Sequence, residues 1–156
     1  MGHRIHQLTA DDLVLMDGLL TTFGEVFGQP ETYTGNSPDA AYMRQLLESD
    51  GFIALVALKG GAVVGGLAAY ELKKFERPRS EIYIYDLAVA EAHRRQGVAT
   101  ALIERVKQIA VQRGVHAVFV QADTEEEDQA AIALYSKLGS REDVLHFDIT
   151  LDEGGN

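Results

Sequence analysis

The stretch Tyr85-Asp86-Leu87-Ala88-Val89-Ala90-Glu91-Ala92-His93-Arg94-Arg95-Gln96-Gly97-Val98-Ala99-Thr100 decides how this chain is read. Together with the preceding Glu81 to Ile84 its first part is β-branched and aromatic, and reads as a strand ending near Val89. The second part turns through two arginines and a glycine. Apolar residues then recur at Val98, Ala101, Leu102, Ile109 and Ala110, which predicts a helix over Gly97 to Arg113 stopped at Gly114. A helix that starts directly after a strand turns its unpaired backbone N–H groups and the positive end of its dipole toward the turn, which makes an anion site. Gly97 lets a ligand approach the backbone, Ala99 keeps the first turn small, and Arg94 and Arg95 add positive charge. Such a site suits a pyrophosphate. It is neither of the common phosphate motifs, because the chain contains no G-x-x-x-x-G-K-S/T and no G-x-G-x-x-G.

Working outward, Arg4 to Leu8 reads as a first strand. Thr9, with Asp12 three residues on, is the expected N-cap of a helix carrying Leu13, Met16, Leu20, Phe23 and Phe27, which Gly28 and Pro30 end. Ser37-Pro38 opens a second helix with Tyr42, Met43, Leu46 and Leu47 as its apolar stripe. Phe52 to Leu58, Lys59-Gly60-Gly61 and Ala62 to Leu72 form an antiparallel hairpin, and Lys73 to Ser80 is polar and reads as a loop. Beyond Gly114, Val115 to Ala122 is a buried strand, Asp128 to Leu138 a short helix stopped at Gly139, and Val144 to Leu151 alternates like a final strand. The predicted order is β, two helices, three strands, α, β, α, β. That is a mixed α/β fold with a hairpin-rich sheet, forming one domain over residues 1–156, and it excludes a TIM barrel or a repeating βαβ fold.

The 156 residues are 46% hydrophobic and 24% charged, an ordinary globular balance. The chain has no cysteine, so disulfides, thiolate nucleophiles and cysteine-ligated zinc are all excluded. The longest glycine-free apolar run, Phe52 to Leu58, falls far short of the ~18 residues of a membrane span. Met1 to Asp12 has no apolar h-region, and His6 stands where a myristoylation signal wants Ser or Thr, so a soluble cytoplasmic protein is expected. His3, His6, His93, His116 and His146 are scattered without metal or triad spacing, so no metal is expected.

The net charge of −10 is unevenly placed. Residues 1–122 carry 14 acids against 12 bases, whereas residues 123–156 carry 10 against 2. Such acidity repels a phosphate backbone, so nucleic acid is not an expected partner and a cationic ligand is the natural reading. A solvated acidic surface kept for solubility is the alternative.

The pattern Arg94-x-x-Gly97-x-Ala99 after an apolar strand resembles motif A of the GCN5-related N-acetyltransferases, and Ala133-Leu134-Tyr135-Ser136-Lys137-Leu138-Gly139 resembles their motif B. The resemblance narrows through Phe52-Ile53-Ala54-Leu55, Arg77 to Val89, His93-Arg94-Arg95-Gln96-Gly97 and His146-Phe147-Asp148-Ile149. These are similar to the type I aminoglycoside 3-N-acetyltransferases, over about Phe23 to Ile149. The resemblance implies a largely antiparallel central sheet with a splayed strand pair, acetyl-CoA as cosubstrate, and a homodimer. It also implies acetyl transfer to the 3-amino group of a gentamicin-like antibiotic, which confers resistance. The expected cofactor contacts are Leu87, Ala88 and Val89 on the strand and Arg94, Arg95, Gln96, Gly97, Val98, Ala99 and Thr100 on the turn.

Amine acetylation needs a neutral nitrogen, a polarised thioester carbonyl and a proton for the departing thiolate. Asp86 is the expected base, because the resemblance assigns that role to its position. On a regular strand, however, Asp86 shares a face with Ile82 and Ile84, the expected core side, where an unpaired carboxylate is costly. Two outcomes are open. A β-bulge near Tyr85 to Leu87 re-aims Asp86 into a cleft and frees a backbone N–H near Leu87 for the thioester oxygen, or Asp86 is a structural acid with a buried partner. Tyr135 is the expected acid for the thiolate; the alternative is a core tyrosine on a short helix. A phenol near pKa ~10 protonates a thiolate whose thiol has pKa ~8.5 only uphill, so positioning and an acidified phenol are expected to matter. Tyr83, Asp123, Glu125, Glu126 and Asp148 are the candidate acceptor contacts, with Asp123 the foremost because it follows a strand end. The run Glu125 to Asp128 also reads as a solvated helix start favoured by the dipole.

Overall fold

The structure, a computed structural model, describes residues 2–122 and 128–152. They group into two compact units, Met1–Gln121 and Ala122–Asn156.

The first unit is built on a five-stranded sheet in the order β1 (Arg4–Gln7), β2 (Phe52–Lys59), β3 (Ala62–Lys73), β4 (Ser80–Val89), β5 (Ala117–Val120). The first three pairings are antiparallel, and β4 runs parallel to β5. The β4–β5 ladder stops at Ile84↔Val120, while β4 continues to Val89. This is the splayed pair that the resemblance implied, and the mixed α/β expectation holds. Gly60 and Gly61 turn the β2–β3 hairpin.

The two faces of the sheet are covered by different helices. On one lie α1 (Leu13–Val26), the short α2 (Pro30–Thr34) and α3 (Ala40–Glu48). Met16, Leu19 and Phe23 of α1 and Met43 and Leu47 of α3 form a single core cluster with Phe52, Ala54, Val56, Leu58, Ala68 and Ala88. Burying each large aliphatic side chain there is worth about 1.5–3 kcal/mol. The approach of α1 is so close at Gly66 that a Cβ would collide with Leu19 Cδ1. The opposite face carries Leu67, Ala69, Ile82 and Ile84, with Val98, Leu102, Val106 and Ile109 of α4 (Val98–Arg113) buried alongside. A Cβ at Gly65 would meet Val98 Cγ1 at 3.1 Å, so α4 also packs closely on its side, though with more room than α1 leaves at Gly66.

Several boundaries differ from the expectations for local reasons. The N-cap position of the first helix is Asp12 rather than Thr9, although its side chain makes no cap bond to the helix. Asp12 Oδ2 accepts from the Thr9 N–H at 2.8 Å and lies 3.0 Å from His6 Nε2, which makes Thr9 to Asp12 a closed turn ahead of the helix. Pro30, expected only to end α1, is the first residue of α2. Asp39 rather than Ser37 caps α3, its carboxylate accepting from the Tyr42 N–H at 2.9 Å.

In the second unit, α5 spans Gln129–Leu138 and ends at Gly139. The strand expected over Val144 to Leu151 does not form. Those residues pair with no strand among the described residues, and Leu145, Phe147, Ile149 and Leu151 are exposed. Alternation supplies a strand's side-chain pattern, but a strand exists only where a ladder partner satisfies its backbone.

Candidate active site

The decisive local feature is a bulge in β4. Ala69 pairs with Ile84 and Ala68 with Asp86, so Tyr85 is an extra residue on β4. Cross-strand partners share a face, and the insertion therefore moves Asp86 away from Ile82 and Ile84 to the face that carries Tyr70 and Tyr83. Of the two outcomes left open by the sequence, the bulge is the one that occurs.

Asp86 is half-buried. The Tyr33 hydroxyl on α2 donates to its Oδ2 at 3.0 Å. Burial pushes the Asp86 carboxyl above its ordinary range, and the Tyr33 bond opposes that shift. Four more aromatic rings form an unbroken ribbon across the neighbouring strands. Tyr70 meets Tyr85 edge-on at 5.6 Å, Tyr85 meets Tyr83 at 5.7 Å, and Tyr83 stacks on Phe119 at 4.8 Å. The Tyr83 hydroxyl donates to Gln121 Oε1 at 3.0 Å. Burial first, and neighbouring acidic groups second, raise the phenols of Tyr33, Tyr70 and Tyr83. They stay protonated and neutral, which leaves Asp86 as the group able to accept a proton at this face.

Beyond Ile84 the β5 side of β4 has no paired strand among the described residues. Leu87, Ala88 and Val89 lie on this stretch and lead into the basic turn. A single 3₁₀ turn, Glu91–His93, is followed by Arg94 and Arg95, both exposed. Arg95 has φ 64° and Gly97 has φ 78°, so the backbone makes two left-handed steps before α4 begins. Only glycine adopts that region without penalty, which explains residue 97 but not Arg95. Gly97 has no side chain to cap α4, and its carbonyl accepts from the Ala101 N–H at 3.0 Å. The N–H groups of Val98, Ala99 and Thr100 precede the first intrahelical bond and face the turn. Arg94 is tied back by its Nε donating to the Val89 carbonyl at 3.1 Å. Lys59 Nζ lies 3.3 Å from Gln96 Oε1 and adds a third cation to the turn. His93 Nδ1 is buried with no hydrogen-bond partner among the described residues. Exposed cations, uncapped N–H groups and an orphaned polar atom fit a pyrophosphate-bearing ligand.

Asp123, Glu125 and Glu126 lie outside the described residues. Asp148 is exposed, with its Oδ1 2.9 Å from His146 Nε2. Tyr135 is half-buried on α5, and burial, followed by the Asp128 carboxylate, raises its phenol. That is opposite to the acidified phenol expected for a thiolate donor. Among the described residues no group of three or more His, Cys, Asp or Glu is arranged to hold a metal, and no helix is long and apolar enough to cross a membrane. Four participants were missed from the sequence, among them Tyr85, which was read only as a strand residue. Tyr33 and Tyr70 gave no local signal, because their relation to Asp86 is made across separate elements. Lys59 was read only as part of a hairpin turn.

A strand that splays at a bulge, with a half-buried acid beside it and a basic strand-to-helix turn beyond, fits an acyl-CoA-dependent transferase. The chain belongs to the acetyltransferase (GNAT) family, whose sequence model matches residues 16–140. That family draws its acetyl group from acetyl-CoA. The fold is also that of an aminoglycoside acetyltransferase, HMB0005, from an uncultured soil metagenomic sample: 65% identity, TM-score 0.96, covering 97% of this chain and 100% of that one. A second such enzyme from soil, meta-AAC0020, solved in complex with sisomicin, is 34% identical with a TM-score of 0.85 over 96% of this chain and 97% of its own. The probable N-acetyltransferase family 8 member 5 of Mus musculus is 32% identical over 96 residues, 62% of this chain. The matched stretch is 41% of that protein, so this chain spans about two fifths of the mammalian relative.

Proposed function

We propose that residues 1–156 act as one aminoglycoside 3-N-acetyltransferase domain that modifies a gentamicin-like antibiotic and so confers resistance. The carrying observation is the bulge that sets Asp86 beside a tyrosine ribbon, in a chain 65% identical to an aminoglycoside acetyltransferase. Acetyl-CoA supplies an activated acetyl thioester. The turn from Arg94 to Thr100, with Lys59, would hold its pyrophosphate, and Leu87, Ala88 and Val89 would run beside its pantetheine arm.

Asp86 takes the proton from the acceptor's 3-ammonium, freeing the nitrogen lone pair for attack on the thioester carbon. A backbone N–H near Leu87 would receive the developing oxyanion. Tyr135 donates to the leaving sulfur in the role the resemblance implies. Its raised phenol holds a proton reliably and passes it to a thiolate only uphill, so this step depends on close positioning of the hydroxyl at the leaving sulfur. The exposed rings of Tyr85 and Tyr70 suit a polycationic acceptor, since an ammonium over an aromatic face is worth about 0.5–1 kcal/mol at exposed sites. Asp123, Glu125, Glu126 and Asp148 supply the acidic side of the acceptor site in this reading.

The test is coenzyme A release from the purified protein with gentamicin, sisomicin, spermidine and a lysine peptide, followed by locating the acetylated nitrogen. Acetylation at the 3-amino group is expected. Turnover confined to spermidine or the peptide reassigns the acceptor to a polyamine or protein amine. Binding without turnover on any amine makes the chain a coenzyme A-binding module. Light scattering at working concentration checks the homodimer.

A further inference from the structure

Asp86 is held from outside its own strand. Tyr33, on α2, is the hydrogen-bond donor to its Oδ2 among the described residues, at 3.0 Å across 53 positions of sequence. The ring that carries this hydroxyl is itself fixed. It lies 5.7 Å from Phe23 and 5.8 Å from Phe27, centroid to centroid, and those two rings stack on one another at 5.7 Å. The chain reverses tightly between α1 and α2 to bring it there. The Gln29 N–H donates to the Gly24 carbonyl at 2.9 Å, and a Cβ at Gly24 would meet Pro30 Cα at 3.0 Å. A five-residue helix with no buried residue of its own is thus pinned at the one place that delivers Tyr33 to Asp86.

We propose that Tyr33 is the positioning residue of the base: its hydroxyl occupies Oδ2, fixes the carboxylate plane, and leaves Oδ1 as the oxygen that meets the acceptor ammonium. This rests on Asp86 being the base. A carboxylate freed by a bulge could rotate about its side-chain bonds, and a single donor to one oxygen removes that freedom. Among the described residues the titratable groups facing Asp86 are phenols: Tyr33 from α2, Tyr70 from β3 and Tyr83 from β4. Tyr33 alone of these donates to it, so it is the one that sustains the ionised form against burial.

The experiment is Tyr33→Phe, which keeps the ring in its aromatic box and removes only the hydroxyl, measured beside Asp86→Asn and the double variant. With Tyr33→Phe, the acid limb of the kcat/KM profile should move to higher pH by about one unit, the scale of one hydrogen bond to a charged group. kcat should fall while the KM for acetyl-CoA stays unchanged. Adding Tyr33→Phe to Asp86→Asn should cost nothing further, because the hydroxyl acts through the carboxylate. An inactive Asp86→Asn with an unmoved acid limb in Tyr33→Phe overturns the role of Tyr33 and leaves the base standing. An active Asp86→Asn with its acid limb intact overturns both. Thermal melting of Tyr33→Phe separates these results from loss of fold, and Phe27→Leu, which loosens the aromatic box and keeps the Tyr33 hydroxyl, shows what a purely structural defect does to the same profile.

Discussion

Ile84 and Asp86 are two residues apart on one strand yet face opposite sides of the sheet, because Tyr85 is inserted between the Ala69 and Ala68 pairings of β3. Ile84 goes into the α4 side of the core, and Asp86 emerges among phenols. With a regular strand the acid would have been buried beside Ile82. The chemistry proposed for the site depends on that single extra residue.

Asp86→Asn keeps the shape of the side chain and its bond from Tyr33 but cannot take a proton. kcat for the aminoglycoside should fall by about 10²- to 10⁴-fold with acetyl-CoA affinity unchanged. Steady-state kinetics across pH check this, and turnover near that of the native protein would remove Asp86 from the mechanism.

The pH dependence follows from burial. The folded-state pKa of Asp86 lies above its ordinary value of 3.8, so kcat/KM should fall on an acid limb displaced upward from the usual aspartate range. For stability, a raised carboxyl favours the fold while protonated, below the unfolded pKa, and that contribution is lost as pH rises through the folded pKa. Asp86→Asn should therefore raise the Tm at neutral pH, with the gain vanishing in acid. A gain that persists in acid would assign it to something other than the charge.

At the turn, Gly97→Ala forces a side chain onto a φ of 78°. The strain of about 1–2 kcal/mol should appear as a KM for acetyl-CoA raised about 5- to 30-fold, with the acceptor KM little changed. An unchanged acetyl-CoA KM would separate this turn from the cofactor.

Gly66→Ala tests the fold rather than the site. Alanine in a strand is ordinarily favourable by about 0.5–1 kcal/mol, but here its Cβ collides with Leu19 Cδ1 and lies 2.8 Å from the Leu55 carbonyl oxygen. Overpacking of this kind costs about 1–3 kcal/mol and should lower the Tm by about 2–4 °C for each. Calorimetry showing no loss would mean that α1 shifts freely on the sheet.

Tyr85 is 58% exposed in the middle of the aromatic ribbon. Tyr85→Ala should raise the acceptor KM by about 2- to 5-fold, the worth of an exposed cation–aromatic contact, and leave the acetyl-CoA KM alone. Raising ionic strength should weaken the same acceptor KM if charge steers binding. Salt-independent kinetics would leave the acidic residues as a solubility device.

Local chemistry determined much of this protein directly from its sequence. The Gly97 turn, the Gly114 stop, the glycine hairpin and the strand-turn-helix with its two arginines all rest on residues close in the chain. Backbone sterics and periodicity act over the same short range, so they can be read there. Caps were misread where several polar residues lie close together: Thr9 and Ser37 were expected, and the backbone path puts Asp12 and Asp39 at those positions. Residues 144–151 show the limit from the other side, having the alternation of a strand but no ladder. Only the tertiary structure decided which way Asp86 points and that Tyr33 holds it. A bulge is defined by the register of two strands, and the Tyr33 bond joins elements 53 positions apart. Neither leaves a periodic trace in the sequence, because both are set by packing against a partner rather than by preferences of the residues themselves.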